Sequence, residues 1–328
     1  MRLWGKGVGL VNRTGASEMR DYVIEAVPNV SEGRRPHVLR ELADAISGTP
    51  GVRLLDSSAD PSHNRSVFTM VGDPEGLTDA VLRLFAVAVR RIDLRGHRGV
   101  HPRIGAVDVV PFVPLADTAM HICVDLARTV GARVADRFGI PVFWYEQAAT
   151  DAARRALEGL RRGQYEALAD KMATREWRPD CGPAIPHQTA GASAFGARHP
   201  LIAFNVNLAT DDVEVAREIA RRVRARGGGL PFVKALGLRL AHLGLVQVSL
   251  NVTDYRRTSL DQAFDAVVRE AAALGTTLAG TEIVGLVPAD ALVTPAARQL
   301  QLHGFTRDQV LEVRLRANGG SSPPAGSQ

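Results

Sequence analysis

The sequence has little of what defines several classes of protein. Only two cysteines occur among 328 residues, Cys123 and Cys181, and no C-x-x-C pair is present, so neither a disulfide framework nor a thiolate metal site is predicted. No apolar run reaches the ~18 residues that span a bilayer. Residues 1–20 contain no apolar block of signal-peptide length. These absences predict a protein of the cytoplasm with no membrane partner.

Aromatic residues and an excess of one charge are also scarce. Aromatics make up 5% of the chain, and 40 lysines and arginines against 35 aspartates and glutamates give a formal net charge of +5. Many arginines are scattered along helical segments such as 214–229, where a solvated helix face is the simpler interpretation. An RNA-binding module is disfavoured, because stacking platforms are few and no RNP1-type strand occurs. No nucleic-acid partner is predicted.

The chain contains the same order of predicted strands and helices twice. The first set consists of a strand at 22–28, a helix opening at Pro36, strands at 52–56 and 65–72, a helix from 74 to 92 and a strand at 106–111. A helix at 117–138, a strand at 141–145 and a helix from Asp151 extend this set. The second set consists of a strand at 201–209, a helix at 212–226, strands at 233–241 and 245–253, a helix at 259–274 and a strand at 281–288.

Both sets have the βαββαβ order of the ferredoxin-like fold. The predicted fold class is α/β (α+β), with two ferredoxin-like subdomains that each carry helices on one face of a mixed sheet. Because each sheet needs its other face covered, the two subdomains are expected to pack face to face around a cleft or tunnel.

The predicted boundaries follow from these sets and from composition. We expect a flexible extension at 1–20, an N-terminal catalytic subdomain at 21–199, a C-terminal subdomain at 200–316 and a disordered tail at 317–328. The tail is rich in glycine, serine and proline. The connection at 180–200 is rich in small residues and proline without an apolar period, so it is predicted to be a linker near the cleft.

A loop rich in histidine and arginine precedes the strand at 106–111. His97 and His101 are four residues apart, but two glycines and a proline oppose a helix, and no H-E-x-x-H pattern occurs, so a zinc pair is not favoured. A loop histidine beside an arginine suits proton transfer next to an anion, since imidazole titrates near neutrality and a guanidinium holds a carboxylate with two bonds. His101 and Arg103 are therefore predicted as proton shuttle and carboxylate clamp, with ordinary surface-loop residues as the alternative.

A second polar cluster, DSSADPSHNRSVFTM, lies between the second and third predicted strands. In a split βαβ unit this loop and the loop at 97–103 converge on one edge of the sheet. The polar side chains that it would bring there are Asp60, His63, Asn64 and Arg65. A metallohydrolase that uses Asp60 and the histidines of both loops stays open, and simple turn capping by the aspartates is the plainer alternative.

Five collinear segments together resemble the glutamate formimidoyltransferase family. They are VPNVSEG (27–33), HNRSVFTMVG (63–72), HRGVHPRIGAVDVVPFVP (97–114), GPAIPHQTAGASAFGAR (182–198) and LIAFNVNL (201–208). The resemblance implies transfer of the formimidoyl group from N-formimidoyl-L-glutamate to N5 of tetrahydrofolate, a step of histidine breakdown. It implies tetrahydrofolate as the acceptor co-substrate and no metal. A relative that uses N-formylglutamate as the donor is the alternative.

The resemblance also assigns roles to residues. The family's catalytic histidine falls on His101. Arg103 is expected to clamp a carboxylate or the intermediate, Asp60 to orient or charge a histidine, and His97, Asn64 and Arg65 are second choices. The folate-contacting segment falls on ten consecutive residues: Gly182, Pro183, Ala184, Ile185, Pro186, His187, Gln188, Thr189, Ala190 and Gly191.

This chain is expected to differ from mammalian members of the family in two ways and to form an oligomer. Mammalian members have an acidic residue at the position of Ser58, and Asp60 would point to the same side of an extended strand. Those members continue into a cyclodeaminase domain, so the product of this chain is expected to pass to a separate cyclodeaminase. The resemblance also implies a homodimer, with the folate in a positively charged tunnel.

Overall fold

The computed structural model describes residues 23–302, except 62, 100, 241–243 and 300. The predicted extension at 1–20 and tail at 317–328 therefore lie outside the described residues. Within the described part the α/β class is confirmed. One mixed sheet of seven strands and one antiparallel sheet of four strands each pack against helices around separate cores, which is consistent with two subdomains.

The first sheet contains the predicted βαββαβ unit and an extension of it. Its elements are β1 (Ile24–Ala26), β2 (Asn29–Val30), α1 (Pro36–Ser47), β3 (Val52–Asp60), β4 (Arg65–Gly72), α2 (Pro74–Arg91), β5 (Val107–Pro114), α3 (Met120–Phe138), β6 (Val142–Glu146), α4 (Leu157–Arg161), α5 (Leu168–Met172) and β7 (Ser193–Ala197). β1 and β2 follow each other between β4 and β5, β3 pairs with the outer side of β4, and β7 and β6 continue the sheet beyond β5.

The long helices cover one face of this sheet, and α2 shows why the sequence forms them. The Asp73 side chain accepts a hydrogen bond from the Gly76 backbone and caps the helix, while Pro74 supplies the fixed φ of the first turn. Apolar residues then recur every three or four positions and are buried: Leu77, Val81, Leu84, Phe85 and Ala88. A helix with such a stripe packs on a sheet, so α1 to α3 share one core with it.

Two predictions about the first half are wrong in detail. The segment at 180–200 is not only a linker, because it contains β7, which lies between β5 and β6 and runs parallel to both. All five residues of β7 are buried, so its sequence lacks the alternation of polar and apolar residues that marks a strand with one exposed face. The helix expected from Asp151 is a 3-10 turn followed by the short helices α4 and α5. Gly163, which has φ +82° in the link between them, opposes a continuous helix.

The second sheet has the predicted ferredoxin-like order. Its elements are β8 (Ile202–Leu208), α6 (Val213–Val223), β9 (Val233–Leu240), β10 (Leu245–Val252), α7 (Leu260–Ala273), β11 (Leu278–Val284) and α8 (Asp290–Gln299). The strands lie in the order β11-β8-β10-β9, and every pair is antiparallel. The last strand begins three residues before the predicted range 281–288. No helix in the described part of the chain has the length and apolar character needed to cross a membrane.

An ion pair joins the two halves. Its partners lie on the faces of the two sheets that are opposite to the long helices. Nζ of Lys234, on β9, lies 2.8 Å from Oε1 of Glu158 on α4 and 4.0 Å from Oε1 of Glu146 at the end of β6. The neighbours of Lys234 in β9 belong to the core of the second sheet, so Lys234 itself points to the face without helices. α4 covers part of the face of the first sheet opposite to α1, α2 and α3, where Leu160 joins a small core.

Candidate active site

The histidine loop and the turn between β3 and β4 meet at one edge of the first sheet, as the topology predicts. Asn64 Nδ2 donates to the carbonyl oxygen of Arg98 (3.0 Å), and Nε2 of His97 donates to the carbonyl oxygen of Asn64 (3.0 Å). A Cβ added to Gly99 would lie 2.2 Å from the carbonyl oxygen of His63, so only glycine fits there. The two predicted polar clusters therefore form one site.

Asn64 holds three segments of this site together. It adopts a left-handed φ of 50°, which asparagine tolerates better than most residues. Its Oδ1 accepts a hydrogen bond from the backbone of Gly33 (3.0 Å) while its Nδ2 bonds the histidine loop. A Cβ on Gly33 would lie 2.4 Å from the carbonyl oxygen of Asp60, which explains the glycine of the VPNVSEG segment. The contacts of Asn64 indicate that it positions the loop.

His101 is partly buried at the centre of the edge. Its Nδ1 lies 2.7 Å from the carbonyl oxygen of Pro102, and because a carbonyl only accepts, Nδ1 carries the proton and Nε2 keeps its lone pair. Burial lowers the pKa of His101 to about 3, with the Arg65 and Arg161 guanidiniums acting in the same direction. The imidazole is therefore neutral at physiological pH.

A second histidine stands next to His101. The ring centroids of His63 and His101 are 6.1 Å apart in an edge-to-face arrangement. Oδ2 of Asp60 accepts from Nδ1 of His63 (2.5 Å), and Oδ1 accepts from the His63 backbone (2.9 Å). Asp60 thus contacts His63, and that it orients a catalytic histidine stays a prediction. Ser58, where mammalian relatives are expected to be acidic, lies exposed on β3.

A buried ion cluster, which the sequence interpretation missed, lies behind His101. Oδ2 of Asp108 accepts from Nη1 of Arg65 (3.0 Å) and from Nε and Nη2 of Arg161 (3.0 and 2.5 Å). Its Oδ1 accepts from the backbone of Ile104 (2.8 Å). Burial opposes the charged carboxylate, but Arg161 and Arg65 outweigh it and lower the pKa of Asp108 to about 2. One carboxylate and two guanidiniums leave a net positive charge beside His101.

A β-bulge directs Asp108 to this position. Val30 pairs with Val107 and Asn29 pairs with Val109, so Asp108 is the extra residue on β5. A bulge re-aims side chains, and both Asp108 and Val109 lie away from the helical core. The sequence did carry a signal, since an aspartate inside the apolar run AVDVVP is a charge that needs a buried partner.

Arg65 and Arg161 reach the aspartate from different elements. Arg65, at the start of β4, also donates from Nε and Nη2 to Oδ1 of Asn29 (3.2 and 2.8 Å), and burial lowers its pKa to about 10. Arg161 comes from the last turn of α4, in a region that the sequence predicted only as a generic helix. No local pattern marks Arg161, because its partner lies 53 residues away.

The contacts of Arg103 do not support its predicted role as a carboxylate clamp. Its Nη1 and Nη2 donate to the two carboxylate oxygens of Glu166 (2.8 and 2.6 Å), and Nη1 also donates to Gln164 (2.9 Å). Nε donates to Nδ1 of His97 (3.1 Å), and Nη2 reaches the His97 carbonyl (3.4 Å). All five donors are engaged, so Arg103 ties the histidine loop to residues 164–166. His97, with both ring nitrogens bonded inside the protein, is part of the same support.

The C-terminal part of the predicted folate segment reaches the site. The Ala106 backbone donates to the carbonyl oxygen of Ala190 (2.9 Å), and the Ala192 backbone donates to that of Ile104 (2.9 Å). Gly191, at φ +68°, passes so close that an added Cβ would lie 2.1 Å from the Ile104 carbonyl oxygen. This part of the segment lies against the backbone that follows His101.

The N-terminal part of the segment lies elsewhere. Gly182 packs near Ile140, where an added Cβ would meet the Ile140 carbonyl oxygen at 2.8 Å. Residues 182–185 are exposed, and Ile185 is 71% exposed. His187 folds the chain back, since its Nδ1 accepts from the Ala190 backbone (3.1 Å). An exposed apolar side chain in an irregular loop is available to a ligand, but no contact links it to His101.

The residues considered as metal ligands do not form a metal site. In the part of the chain that the structure describes, no group of three or more histidines, cysteines, aspartates and glutamates could hold a metal ion. Asp60 and His63 pair with each other, and His97 is turned to Asn64 and Arg103. The metallohydrolase alternative therefore has no ligand set among these residues.

Comparison with known protein families adds independent findings. The model of the formiminotransferase domain, N-terminal subdomain, matches residues 23–198, and that of the formiminotransferase domain matches residues 203–313. The two matches together cover most of the chain, and the break between them, 199–202, ends at the first residue of β8.

Two named relatives are similar over almost their whole length, and a third over about half of its length. A glutamate formimidoyltransferase of Thermoplasma acidophilum is 45% identical over 295 residues, which are 89% of this chain and 97% of the relative. A glutamate formimidoyltransferase of Streptococcus pyogenes serotype M1 is 42% identical, over 89% of this chain and 98% of the relative. A formimidoyltransferase-cyclodeaminase of Sus scrofa is 42% identical over 84% of this chain, which corresponds to 52% of that protein.

Proposed function

Because the chain belongs to the formiminotransferase family and is a one-carbon group transferase, we propose that it transfers the formimidoyl group of N-formimidoyl-L-glutamate to N5 of tetrahydrofolate. The products would be 5-formimidoyltetrahydrofolate and L-glutamate. The names of two relatives that match almost end to end support the reaction type. The observation that carries the mechanism is a neutral, partly buried His101 with an available Nε2 beside two arginines.

His101 supplies the proton transfers that this reaction needs. N5 of the folate attacks the amidine carbon, forms the new N–C bond and becomes an ammonium in the tetrahedral intermediate. Nε2 of His101 takes the proton from N5. The same proton then goes to the glutamate nitrogen as its bond to the amidine carbon breaks, so the imidazole ends neutral. General acid–base help of this kind contributes roughly 10² to 10⁴ in rate.

The positive surroundings suit the second transfer more than the first. Arg65 and Arg161 disfavour an imidazolium at His101, so the protonated ring is a strong acid and gives its proton readily to the leaving nitrogen. The cost falls on the first transfer, in which His101 is a weak base. A bound substrate carboxylate would offset part of the arginine charge and raise the basicity of His101 when both substrates are in place.

Arg161 is the better candidate for the carboxylate clamp. Within the described residues its Nη1 has no hydrogen-bond partner, whereas Nε and Nη2 are held by Asp108. The aspartate fixes the plane of the guanidinium and leaves one edge for an anion. N-formimidoyl-L-glutamate is a dicarboxylate and the folate has a glutamate tail, so both substrates offer such an anion.

The remaining expectations complete the proposal. Residues 182–191 would form part of the folate wall, with the stretch near Gly191 closest to the reacting atoms. The enzyme would act as a homodimer in the cytoplasm and need no metal. The eukaryotic relatives are named formimidoyltransferase-cyclodeaminases, whereas the two relatives that match almost end to end are named glutamate formimidoyltransferases, which supports the proposal that the product passes to a cyclodeaminase.

A single-turnover assay with both substrates tests the proposal. We expect wild type to form 5-formimidoyltetrahydrofolate in the presence of EDTA and His101→Ala to be slower by roughly 10² or more. His121→Ala is the matched control, since His121 is exposed on α3. Equal rates for wild type and His101→Ala would overturn the role of His101. Turnover with N-formylglutamate and none with the formimidoyl donor would overturn the choice of donor.

A further inference from the structure

The helix-free face of the second sheet carries a polar cluster that the mechanism above does not use. Its members come from three neighbouring strands, and we call them the amide cluster: Asn205 and Asn207 on β8, Gln247 on β10 and Glu282 on β11. The alternate residues of β8 and β10 form the apolar core under α6 and α7. By the period of a strand, the amide cluster therefore lies on the opposite face.

Hydrogen bonds hold the amide cluster in one arrangement. Oε1 of Glu282 accepts from Nδ2 of Asn205 (3.0 Å) and from Nε2 of Gln247 (3.1 Å). Nε2 of Gln247 also donates to Oδ1 of Asn207 (2.8 Å), so both of its hydrogens are used. One carboxylate oxygen thus fixes two side-chain amides, and these amides can present a defined pattern to a ligand.

One buried acceptor in the amide cluster has no partner. Asn205 is 8% exposed and Gln247 is 5% exposed. Oδ1 of Asn205 is shielded from solvent and makes no hydrogen bond to any residue that the structure describes. Leaving a buried polar atom unpaired costs about 1 to 3 kcal/mol, and a bound ligand is one way to recover that cost. A sheet face that only met solvent would not bury two amides in this way.

The unused atoms of the amide cluster are mainly acceptors. Three acceptor atoms have no donor among the described residues: Oδ1 of Asn205, Oε1 of Gln247 and the second carboxylate oxygen of Glu282. Together with the charge of Glu282 they favour a group with adjacent N–H donors and repel an anion. Glu282 is exposed, so a ligand meets the carboxylate first.

We propose that the amide cluster binds a planar N–C–N group with two adjacent N–H donors, one pairing with Glu282 and one with Asn205. This inference rests on the proposed function, because both substrates named there carry such a group. In the reduced pterin it is the 2-amino edge with its ring N–H, and in the donor it is the formimidoyl amidine. The second sheet would thus recognise a substrate while the first sheet provides proton transfer and positive charge.

Lys234 provides a link between the amide cluster and the other subdomain. It lies on the same face of the second sheet, on β9, and its Nζ contacts Glu158 of α4. α4 also carries Arg161, which borders the site of His101. The face that holds the amide cluster is therefore turned towards the subdomain that carries His101.

Calorimetric titration of the whole protein with two separate probes tests the inference. The probes are 6-methyltetrahydropterin, which lacks the glutamate tail, and N-formimidoyl-L-glutamate. We expect Glu282→Gln to weaken the binding of one probe by tenfold or more and to leave the other within twofold. The affected probe identifies which substrate the amide cluster holds. Asn205→Ala should weaken the same probe, and Asn251→Ala, an exposed change on the same face of β10, should weaken neither.

Several outcomes would overturn the inference, and none depends on turnover. In the first, wild type binds neither probe. In the second, Glu282→Gln binds both probes as tightly as wild type does. In the third, Glu282→Gln binds both probes equally more weakly and also has a lower melting temperature. The last result would indicate a purely structural role. A wild type that binds the probes through Glu282 but forms no product would contradict the proposed function and leave the amide cluster as a binding site.

Discussion

The two sheets differ in how the polar side chains opposite to their long helices are partnered. On the first sheet, Asp108 holds two arginines in place and Arg103 has all five donors engaged, so the groups around His101 are fixed in advance, and Arg161 keeps one edge for an anion. On the second sheet, the amide cluster keeps a buried acceptor without a partner among the described residues. The same βαββαβ order thus supports a rigid, positively charged edge in one half and an acceptor-rich surface in the other.

This difference corresponds to two requirements of a transfer reaction. Proton transfer needs groups that hold their geometry and do not reorganise during the reaction. Recognition needs groups that gain a partner only when the ligand arrives. The fold alone decides neither, since both halves have the same βαββαβ order and carry different side chains on it.

The largest effect is expected when the anion of the first sheet is removed. Asp108→Ala would leave Arg65 and Arg161 buried next to each other without their carboxylate. Breaking a buried charge group of this kind costs about 3 to 5 kcal/mol of unfolding free energy. Urea unfolding followed by circular dichroism measures the loss. Asp211→Asn, an exposed change on the second half, is the control, and an unfolding midpoint for Asp108→Ala equal to that of wild type would contradict the role of the ion cluster.

The sequence predicted the fold class, the two βαββαβ sets and the meeting of the two polar loops, because these depend on hydrophobic period and on topology. α2, with its cap at Asp73 and its apolar stripe, is a case in which every local signal agrees. β7 was missed because a short strand buried on both faces has no period, and glycine-rich sequence precedes it.

Site partners were harder to predict than site positions. The spacing and composition that mark a loop histidine do not say which carboxylate it meets, so Asp60 was assigned to a histidine without a way to choose His63. Arg161 and Glu166 lie in short helices and turns far along the chain from their partners. Contacts of that kind follow from tertiary packing, which no local pattern records.

The pH dependence of stability tests whether burial and the neighbouring arginines disfavour the imidazolium of His101. In the unfolded chain a histidine has a pKa near 6.5, and in the folded protein that of His101 is about 3. Between these values the unfolded state binds more protons, so wild type loses stability as pH falls from about 6.5 towards 3. His101→Gln, which cannot titrate, should lose less, by up to about 2 to 3 kcal/mol at pH 4.5 relative to pH 7.

Urea unfolding of wild type and His101→Gln at both pH values measures this difference. The other groups titrate in both proteins, so subtraction isolates His101. Curves that shift equally between pH 7 and pH 4.5 would show that burial and the arginines together do not disfavour the imidazolium, and the positive charge near His101 would lose its role in the comparison.

A smaller effect is expected from the partner of Arg103. Glu166→Gln keeps the shape but removes the charge that accepts two of its hydrogen bonds. Since Arg103 is only 5% exposed and Glu166 is on the surface, we expect a loss of about 1 to 2 kcal/mol and a fall in kcat from misplacement of the histidine loop. Thermal unfolding and steady-state kinetics are the measurements. Because Arg103 acts here as support, KM for N-formimidoyl-L-glutamate should change less than kcat, and the reverse would restore its role as a clamp.

The smallest expected effect concerns the contact that joins the two faces. Lys234→Met removes the ion pair with Glu158 and keeps most of the side-chain length, and both partners are largely exposed, so stability should fall by only about 0.2 to 1 kcal/mol. The loss should vanish in high salt, because surface pairs are screened. Thermal unfolding at low and high ionic strength measures it. If Lys234 also holds α4 in place, the Lys234→Met variant should have a higher KM for the donor than wild type at low salt, with the same kcat. A change in stability without any change in KM would mean that the two sheets work independently.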